Sequence, residues 1–286
     1  MEIDRLLFRG EVFQVGVFRC PPEHPSFRDS GPTKCHDFVF PRTMVWIQHR
    51  GKRPFVADPN VVTFYNRGQA YVRFPLSPEG DRSDYFSVEP ATLREVVRVH
   101  DAEAAFSPDG PFRFDHGWSD AETYVVQRRL VGYLLETPRP DPLLVEETAL
   151  RILERVVASA YGSRAGSPPA ARRRAHEELV ERTKAVIATR ALDGLSLQAI
   201  ASEVGSSVFH LCRTFRRGTG STLHGYLTQV RLRLAIERLL EEPVPLTELA
   251  LDLGFSSHSH FTAAFRRTFG QPPSRLRRPR GFLRPA

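Results

Sequence analysis

The stretch Ser196-Leu197-Gln198-Ala199-Ile200-Ala201-Ser202-Glu203-Val204-Gly205-Ser206-Ser207-Val208-Phe209-His210-Leu211-Cys212-Arg213-Thr214-Phe215-Arg216-Arg217 decides the fold, because the chain says it again in altered form. Ile200-Ala201-x-x-Val204-Gly205 is followed by Ser207, Leu211, Phe215-Arg216-Arg217 and Gly220. At an offset of about fifty residues, Leu249-Ala250-x-x-Leu253-Gly254 is followed by Ser257, Phe261, Phe265-Arg266-Arg267 and Gly270. The offset grows by one residue at the turn, where Phe255 reads as the extra residue. Order and spacing kept over so many positions imply two copies of one supersecondary unit.

Each copy reads as a short helix, a glycine turn and a second helix opened by serine. Ala201 and Ala250 are small where two helices must approach closely, and Gly205 and Gly254 supply the positive φ that ends a helix sharply. Ser206 or Ser207, and Ser256 or Ser257, can accept the free N–H groups of the helix that follows. Leu211 with Phe215, and Phe261 with Phe265, are i,i+4 pairs that turn one face inward. The unit is a helix-turn-helix, present twice. Between the copies, Thr222 to Glu241 reads as one helix through Leu223, Leu227, Val230, Leu234 and Leu239. Its twenty residues span roughly 30 Å, which suits the step of about 34 Å between successive accessible segments of major groove on one DNA face.

Residues from about 177 to 277 resemble the DNA-binding domain of the AraC/XylS family of bacterial transcription regulators. The resemblance is carried by Ser196-Leu197-x-x-Ile200-Ala201, Leu211-Cys212-Arg213-Thr214-Phe215, Thr219-Gly220, Arg231-Leu232-x-x-Ala235 and Leu249-Ala250-x-x-Leu253-Gly254-Phe255. It continues through Ser257-x-x-His260-Phe261-x-x-x-Phe265-Arg266-Arg267-x-Phe269-Gly270-x-Pro272-Pro273-x-x-Leu276-Arg277. It covers about the last third of the chain.

Charge is distributed accordingly. The 286 residues carry a net charge of +7, and from Arg173 onward there are 18 Arg or Lys against 10 Asp or Glu, whereas the remainder has 22 against 23. The basic excess belongs wholly to the helix-turn-helix part, as expected of a surface that displaces counterions from phosphates. With 41% hydrophobic and 10% aromatic residues the chain can build two cores. No signal peptide is visible, since Glu2, Asp4, Arg5 and Arg9 break up the start, and no run approaches the roughly 18 apolar residues of a membrane span. Cys20, Cys35 and Cys212 are too few for a disulfide framework, and the expected location is cytoplasmic.

The fold expected is α+β. Residues 1 to about 118 hold short strand-like runs, among them Val12–Phe18, Asp37–Phe40, Met44–Ile47, Val61–Tyr65, Ala70–Phe74 and Tyr85–Val88, separated by Pro, Gly, Asp and Asn turns. Their spacing suggests a sandwich or small barrel, and the family resemblance implies that it is cupin-like. Ala121 to Tyr161 then reads as two amphipathic helices, which either cap that barrel or pair with a second subunit. The domains expected are a sensing and dimerisation domain at 1–161, a linker at 162–172, the domain with two helix-turn-helix units at 173–280 and a basic tail at 281–286.

On the first recognition helix Leu211 and Phe215 face inward, leaving Ser207, Phe209, His210, Arg213 and Arg217 outward. The resemblance places the positions of Phe209 and Arg213 in the major groove. A guanidinium at 213 can bridge guanine O6 and N7, and Phe209 can meet a thymine methyl. On the second, the resemblance assigns DNA roles to His258, Ser259, Thr262 and Ala263, with His260 beside them. Ala263 stands where the family commonly has a longer polar or basic reader, so the second unit is expected to work mainly through phosphates, with Arg266, Arg267, Arg275, Arg277 and Arg278.

The first half offers weaker signals. Cys20, His24, Cys35 and His36 are borderline-soft ligands that would make a metal- or redox-responsive regulator. Yet no Cys-x-x-Cys anchors them, and adjacent Cys35 and His36 in an extended segment point to opposite faces. No metal or cofactor is therefore expected. A cupin-type enzyme fused to a DNA anchor would need His-x-His and a carboxylate; His49, His100 and His116 stand singly, so no enzyme is expected. Phe40, Trp46, Phe64, Tyr65, Tyr71 and Phe74 could line an effector pocket, although barrel packing uses such residues too. Arg42, Arg50, Lys52, Arg53, Arg67 and Arg73 read most simply as a solvated surface. The partners implied are double-stranded promoter DNA, RNA polymerase, a small-molecule effector and a second copy of the chain, with no membrane.

Overall fold

The computed structural model describes residues 3–276 apart from 30, 108–109, 163–169, 194 and 242–243, and the side chains of 170–173. It is an α+β chain in two compact units, one ending with the helix that closes at Gly162 and the other opening with the helix that starts at Ala170.

Among the described residues the first unit holds nine strands, three α-helices and a short 3-10 turn at Ala104–Phe106. Strands β1 (Asp4–Arg9), β2 (Phe13–Cys20), β3 (His36–Pro41), β4 (Val45–His49), β5 (Phe55–Ala57), β6 (Val61–Tyr65), β7 (Tyr71–Pro75) and β8 (Asp81–Val88) come first. Helix α1 (Pro90–Arg98), strand β9 (His116–Trp118) and helices α2 (Ala121–Glu136) and α3 (Pro142–Gly162) complete it. The larger sheet runs β1-β2-β8-β3-β6-β9 and the smaller β5-β4-β7, with antiparallel pairing throughout.

Alternation along each strand divides the side chains between two cores. One row across the large sheet reads Val15, Phe86, Phe38 and Phe64, in register on β2, β8, β3 and β6. These four point to the face covered by α1, α2 and α3, where they pack with Leu93, Leu130, Val131, Ile152 and Val156. Phe38 stacks on Phe86 at 5.0 Å between ring centroids and meets Phe13 and Phe40 edge-on. The odd residues of β6, Val61 and Tyr65, turn the other way and pack with Val45, Ile47, Phe55 and Ala57 of the small sheet. The result is three layers: helices, large sheet, small sheet.

Helix α1 lies within residues 1 to about 118, where short strand-like runs are expected and no helix is. Its signature is local: the Glu89 carboxylate accepts the amides of Ala91 and Thr92, Pro90 opens the first turn, and Leu93, Val96 and Val97 face the core. The same two hydrogen bonds hold the Glu89 carboxyl below its usual pKa.

Two arginines expected at the surface are buried. Arg73 is 1% exposed; it donates to Asp81 Oδ2 at 2.5 Å and to the carbonyls of Phe27 and Ser26 at 3.0 Å, over the ring of Phe18. Arg42, also buried, lies 3.9 Å from fully buried Asp84, which is bound at 2.7 Å by Arg128 of α2. A buried carboxylate needs a paired cation, and that need outweighs the surface preference of arginine. The six aromatics proposed as a pocket lining are split between layers. Phe40 and Phe64 belong to the helix-side core, Tyr65 and Tyr71 to the inter-sheet core, and Phe74 is 40% exposed.

The second unit contains α4 (Ala170–Arg190), α5 (Leu197–Glu203), α6 (Val208–Thr219), α7 (Leu223–Glu241), α8 (Leu246–Asp252) and α9 (His258–Phe269). Helix α4 takes in the last positions of the segment expected as linker. Gly162, the first position of that segment, closes α3, and 163–169 and the basic tail at 281–286 lie outside the described residues.

Candidate nucleic-acid interface

The two copies of the repeat fold almost bond for bond. Ser207 Oγ accepts the His210 amide at 3.3 Å and Ser257 Oγ the His260 amide at 3.1 Å, so serine caps α6 and α9 at the same position. Both helices are 12 residues long and end at a left-handed glycine, Gly220 or Gly270, each with φ 71°. Between α5 and α6 the Ser206 amide reaches back to Ala201 O, and between α8 and α9 the Phe255 amide reaches back to Ala250 O, both at 2.9 Å. Phe255 is therefore the counterpart of Ser206, and the inserted residue is Ser256 rather than Phe255.

Burial sorts the faces as the spacing predicts. Leu211, Thr214 and Phe215 of α6, and Phe261, Ala264 and Phe265 of α9, are buried. Ser207, Phe209, His210, Arg213 and Arg217 are exposed on α6, Phe209 by 75%. Arg216 is exposed as well. It is the counterpart of Arg266 at an offset of fifty, and at i, i+4 and i+7 it shares one stripe with Phe209 and Arg213. Sequence reasoning passed over it although the repeat pointed to it.

On α9, His258, Ser259, Thr262, Ala263, Arg266 and Arg267 line a shallow open depression. Thr262 Oγ1 lies 3.3 Å from His258 Nε2, one turn away. Among the described residues no carboxylate pairs with Arg213, Arg216, Arg217, Arg266 or Arg267, so five guanidinium groups stand available to an anion. The histidines at the third position of each helix are engaged within the protein. The His210 ring lies 5.8 Å from that of His176 on α4, while His260 bonds Ser256 Oγ at 3.0 Å and meets the Phe255 ring edge-on. Arg275 is exposed beyond α9; Arg277 and Arg278 lie outside the described residues.

Helix α7 is the shared wall. Its 19 residues bury Leu223, Tyr226, Leu227, Val230, Leu232, Ile236 and Leu239, and the Tyr226 ring meets Phe215 of α6 edge-on.

The metal candidates of the first unit do not form a site. Cys20 is buried, its thiol pKa raised by burial against the pull of nearby Arg73. His24 Nδ1 accepts the Ser26 amide and His36 Nδ1 the Arg67 amide, each at 3.2 Å, and burial lowers the His36 pKa. Among the described residues no three His, Cys, Asp or Glu gather as metal ligands. His49 is buried against Tyr65 with Nδ1 3.1 Å from Asp115, His100 stacks on Tyr161 and His116 on Phe55. His49 and Lys52 bring the Asp115 pKa down to about 2 against its own burial.

Paired helix-turn-helix units with arginine-bearing exposed faces define a DNA-binding regulator. A family described as a helix-turn-helix domain matches residues 200–279. Regulatory protein SoxS of Escherichia coli (strain K12) is 34% identical over 102 residues, 36% of this chain and 95% of that protein. The HTH-type transcriptional regulator GlxA of Rhizobium meliloti (strain 1021) is 40% identical over 87 residues, 30% of this chain and 27% of that protein. The chain belongs to the AraC/XylS family of bacterial transcription regulators. Among solved structures, an apo ToxT variant from Vibrio cholerae covers 93% of this chain and 97% of its own at 12% identity and a TM-score of 0.40, a likeness too slight to carry an inference. No helix among the described residues is long and apolar enough to cross a membrane.

Proposed function

We propose that α6 and α9 enter two successive major grooves on one face of promoter DNA, about 34 Å apart. Arg213 reads guanine and Phe209 meets a thymine methyl; Ser207, His210, Arg216 and Arg217 flank them. On α9, Ala263 offers only a methyl where Arg213 offers five N–H donors. Readout there falls to His258, Ser259 and Thr262, with His260 held beside them by Ser256 and Phe255, while Arg266, Arg267, Arg275 and Arg277 hold phosphates. The observation that carries this reading is the pair of equal, equally capped helices whose exposed arginines have no carboxylate partner among the described residues.

The first unit then supplies control, in keeping with the family. A small molecule bound there, or pairing of two copies through α2 and α3, shifts the placement of the DNA-binding units and with it contact to RNA polymerase in the cytoplasm. The chain acts as a regulator and not as an enzyme. Selection of binding sites from random duplex DNA by the full-length protein tests the central claim. Two short boxes about one helical turn apart are the expected product; a single box, or no enrichment, refutes it.

A further inference from the structure

Arg231 lies in the middle of α7, away from both exposed recognition faces, yet its guanidinium donates to three backbone carbonyls. Nε donates to Ala191 O at 2.7 Å, and the two terminal nitrogens donate to Asp193 O and Gly254 O, each at 2.9 Å. Ala191 and Asp193 lie in the loop from α4 to α5, which leads into the first helix-turn-helix unit; Gly254 lies in the turn from α8 to α9, inside the second. Two carbonyls from the approach to the first copy and one from the turn of the second thus converge on one planar cation carried by α7.

The electrostatics are unusual for an arginine. No carboxylate pairs with it among the described residues, and burial alone pulls its pKa below the ordinary arginine value. What offsets that burial is the partial negative charge of the three carbonyl oxygens it gathers just beyond α4 and α8. The turns differ to match. Gly205 and Gly254 both have positive φ, 66° and 73°, but a Cβ added at Gly205 meets nothing, whereas one at Gly254 falls 2.7 Å from an Arg231 terminal nitrogen. The second turn is docked on the guanidinium and the first is open.

We infer that Arg231 is the positioning residue that sets the separation and relative twist of α6 and α9, and thereby the spacing of the two DNA boxes the chain accepts. The inference rests on the two-groove reading proposed above. Arginine suits the role because a rigid fork satisfies three acceptors in fixed directions, which a lysine ammonium does not. Losing it leaves each recognition helix on its own buried face, so each box is still bound. What is lost is simultaneous engagement, the source of the gain from a second site on one ligand.

The test uses the full-length protein on duplexes carrying both selected boxes, the same duplex with one box scrambled, and versions with one or two base pairs inserted or removed between the boxes. For Arg231→Gln, one-box affinity stays within about twofold of the parent. The advantage of two boxes over one falls by about tenfold or more, and the penalty for a one-base-pair insertion flattens. Arg231→Lys, which keeps the charge, behaves like Arg231→Gln in the spacing series.

Gly254→Ala and Gly205→Ala form the second arm. Both strain a positive φ, so the difference between them isolates the collision with Arg231. The two-box advantage falls further in Gly254→Ala. Equal losses on one-box and two-box DNA, an unchanged spacing profile, or equal behaviour of the two alanine variants overturns the inference while leaving two-groove binding intact. Failure of the parent protein to gain from a second box removes two-groove binding itself, and the inference with it.

Discussion

Replacing Arg213 with alanine separates a base reader from a phosphate contact. The side chain is exposed on α6, has no ion-pair partner among the described residues, and lies outside the buried set Leu211, Thr214 and Phe215. Alanine has the best helix propensity, so the melting curve of the protein should move by less than about 0.5 kcal/mol equivalent. A lost bidentate guanine contact costs about 1 to 3 kcal/mol, which is about 5- to 150-fold in affinity. That loss applies to the matched box only. The assay is fluorescence anisotropy on the selected duplex and on one bearing a substitution at the guanine, each over a salt series. A base reader lowers affinity for the matched duplex, erases the preference for guanine and leaves the salt slope in place. A phosphate contact instead removes about 0.9 from the slope and weakens both duplexes alike. The second pattern refutes Arg213 as a reader of sequence.

Phe209→Ala should leave thermal stability unchanged and cost about fourfold on thymine-containing boxes, and the loss should vanish when deoxyuridine, which lacks the methyl, replaces that thymine. Arg73→Met leaves Asp81 without its cation in the inter-sheet layer, and the unfolding transition of the first unit in urea should lose about 3 to 5 kcal/mol. Asp37, next to Ser87, titrates at about 6 in the fold because burial raises its carboxyl pKa from 3.8. The folded state therefore keeps its proton longer than the unfolded chain. The resulting stability is complete below about pH 4 and declines as pH rises through 6, by at most about 3 kcal/mol. Asp37→Asn should abolish that decline in urea titrations between those pH values, and an unaltered slope would show that Asp37 is not its source.

The second unit was legible in the sequence because its signals are local. Capping serines, turn glycines and i,i+4 apolar pairs act within a dozen residues, and the repetition printed them twice. Repetition alone does not say which residue is inserted. Matching phenylalanines and serines by type made Phe255 the extra one, whereas the backbone bond from Phe255 to Ala250 aligns it with Ser206 and leaves Ser256 over. Helix α1 carried a readable i, i+3, i+4 pattern in Leu93, Val96 and Val97, overshadowed by the strands around it. Arg73 was not legible at all. Its burial depends on the Phe27 and Ser26 carbonyls, 46 and 47 residues away, and on Asp81, which sits on a strand of the other sheet. Arg231 announced itself only as a family residue; the carbonyls it gathers belong to loops 38 and 23 residues away.

The outer strands of the large sheet have a consequence for how this chain behaves at high concentration. Strand β1 presents exposed Asp4, Arg5 and Arg9 and is broken by a register shift between Leu6 and Phe8; at the opposite border β9 has only three residues. Charges, a bulge and brevity are the devices by which sheet proteins deny a template to incoming strands and resist fibre growth. A border so blunted disfavours joining two copies by strand addition.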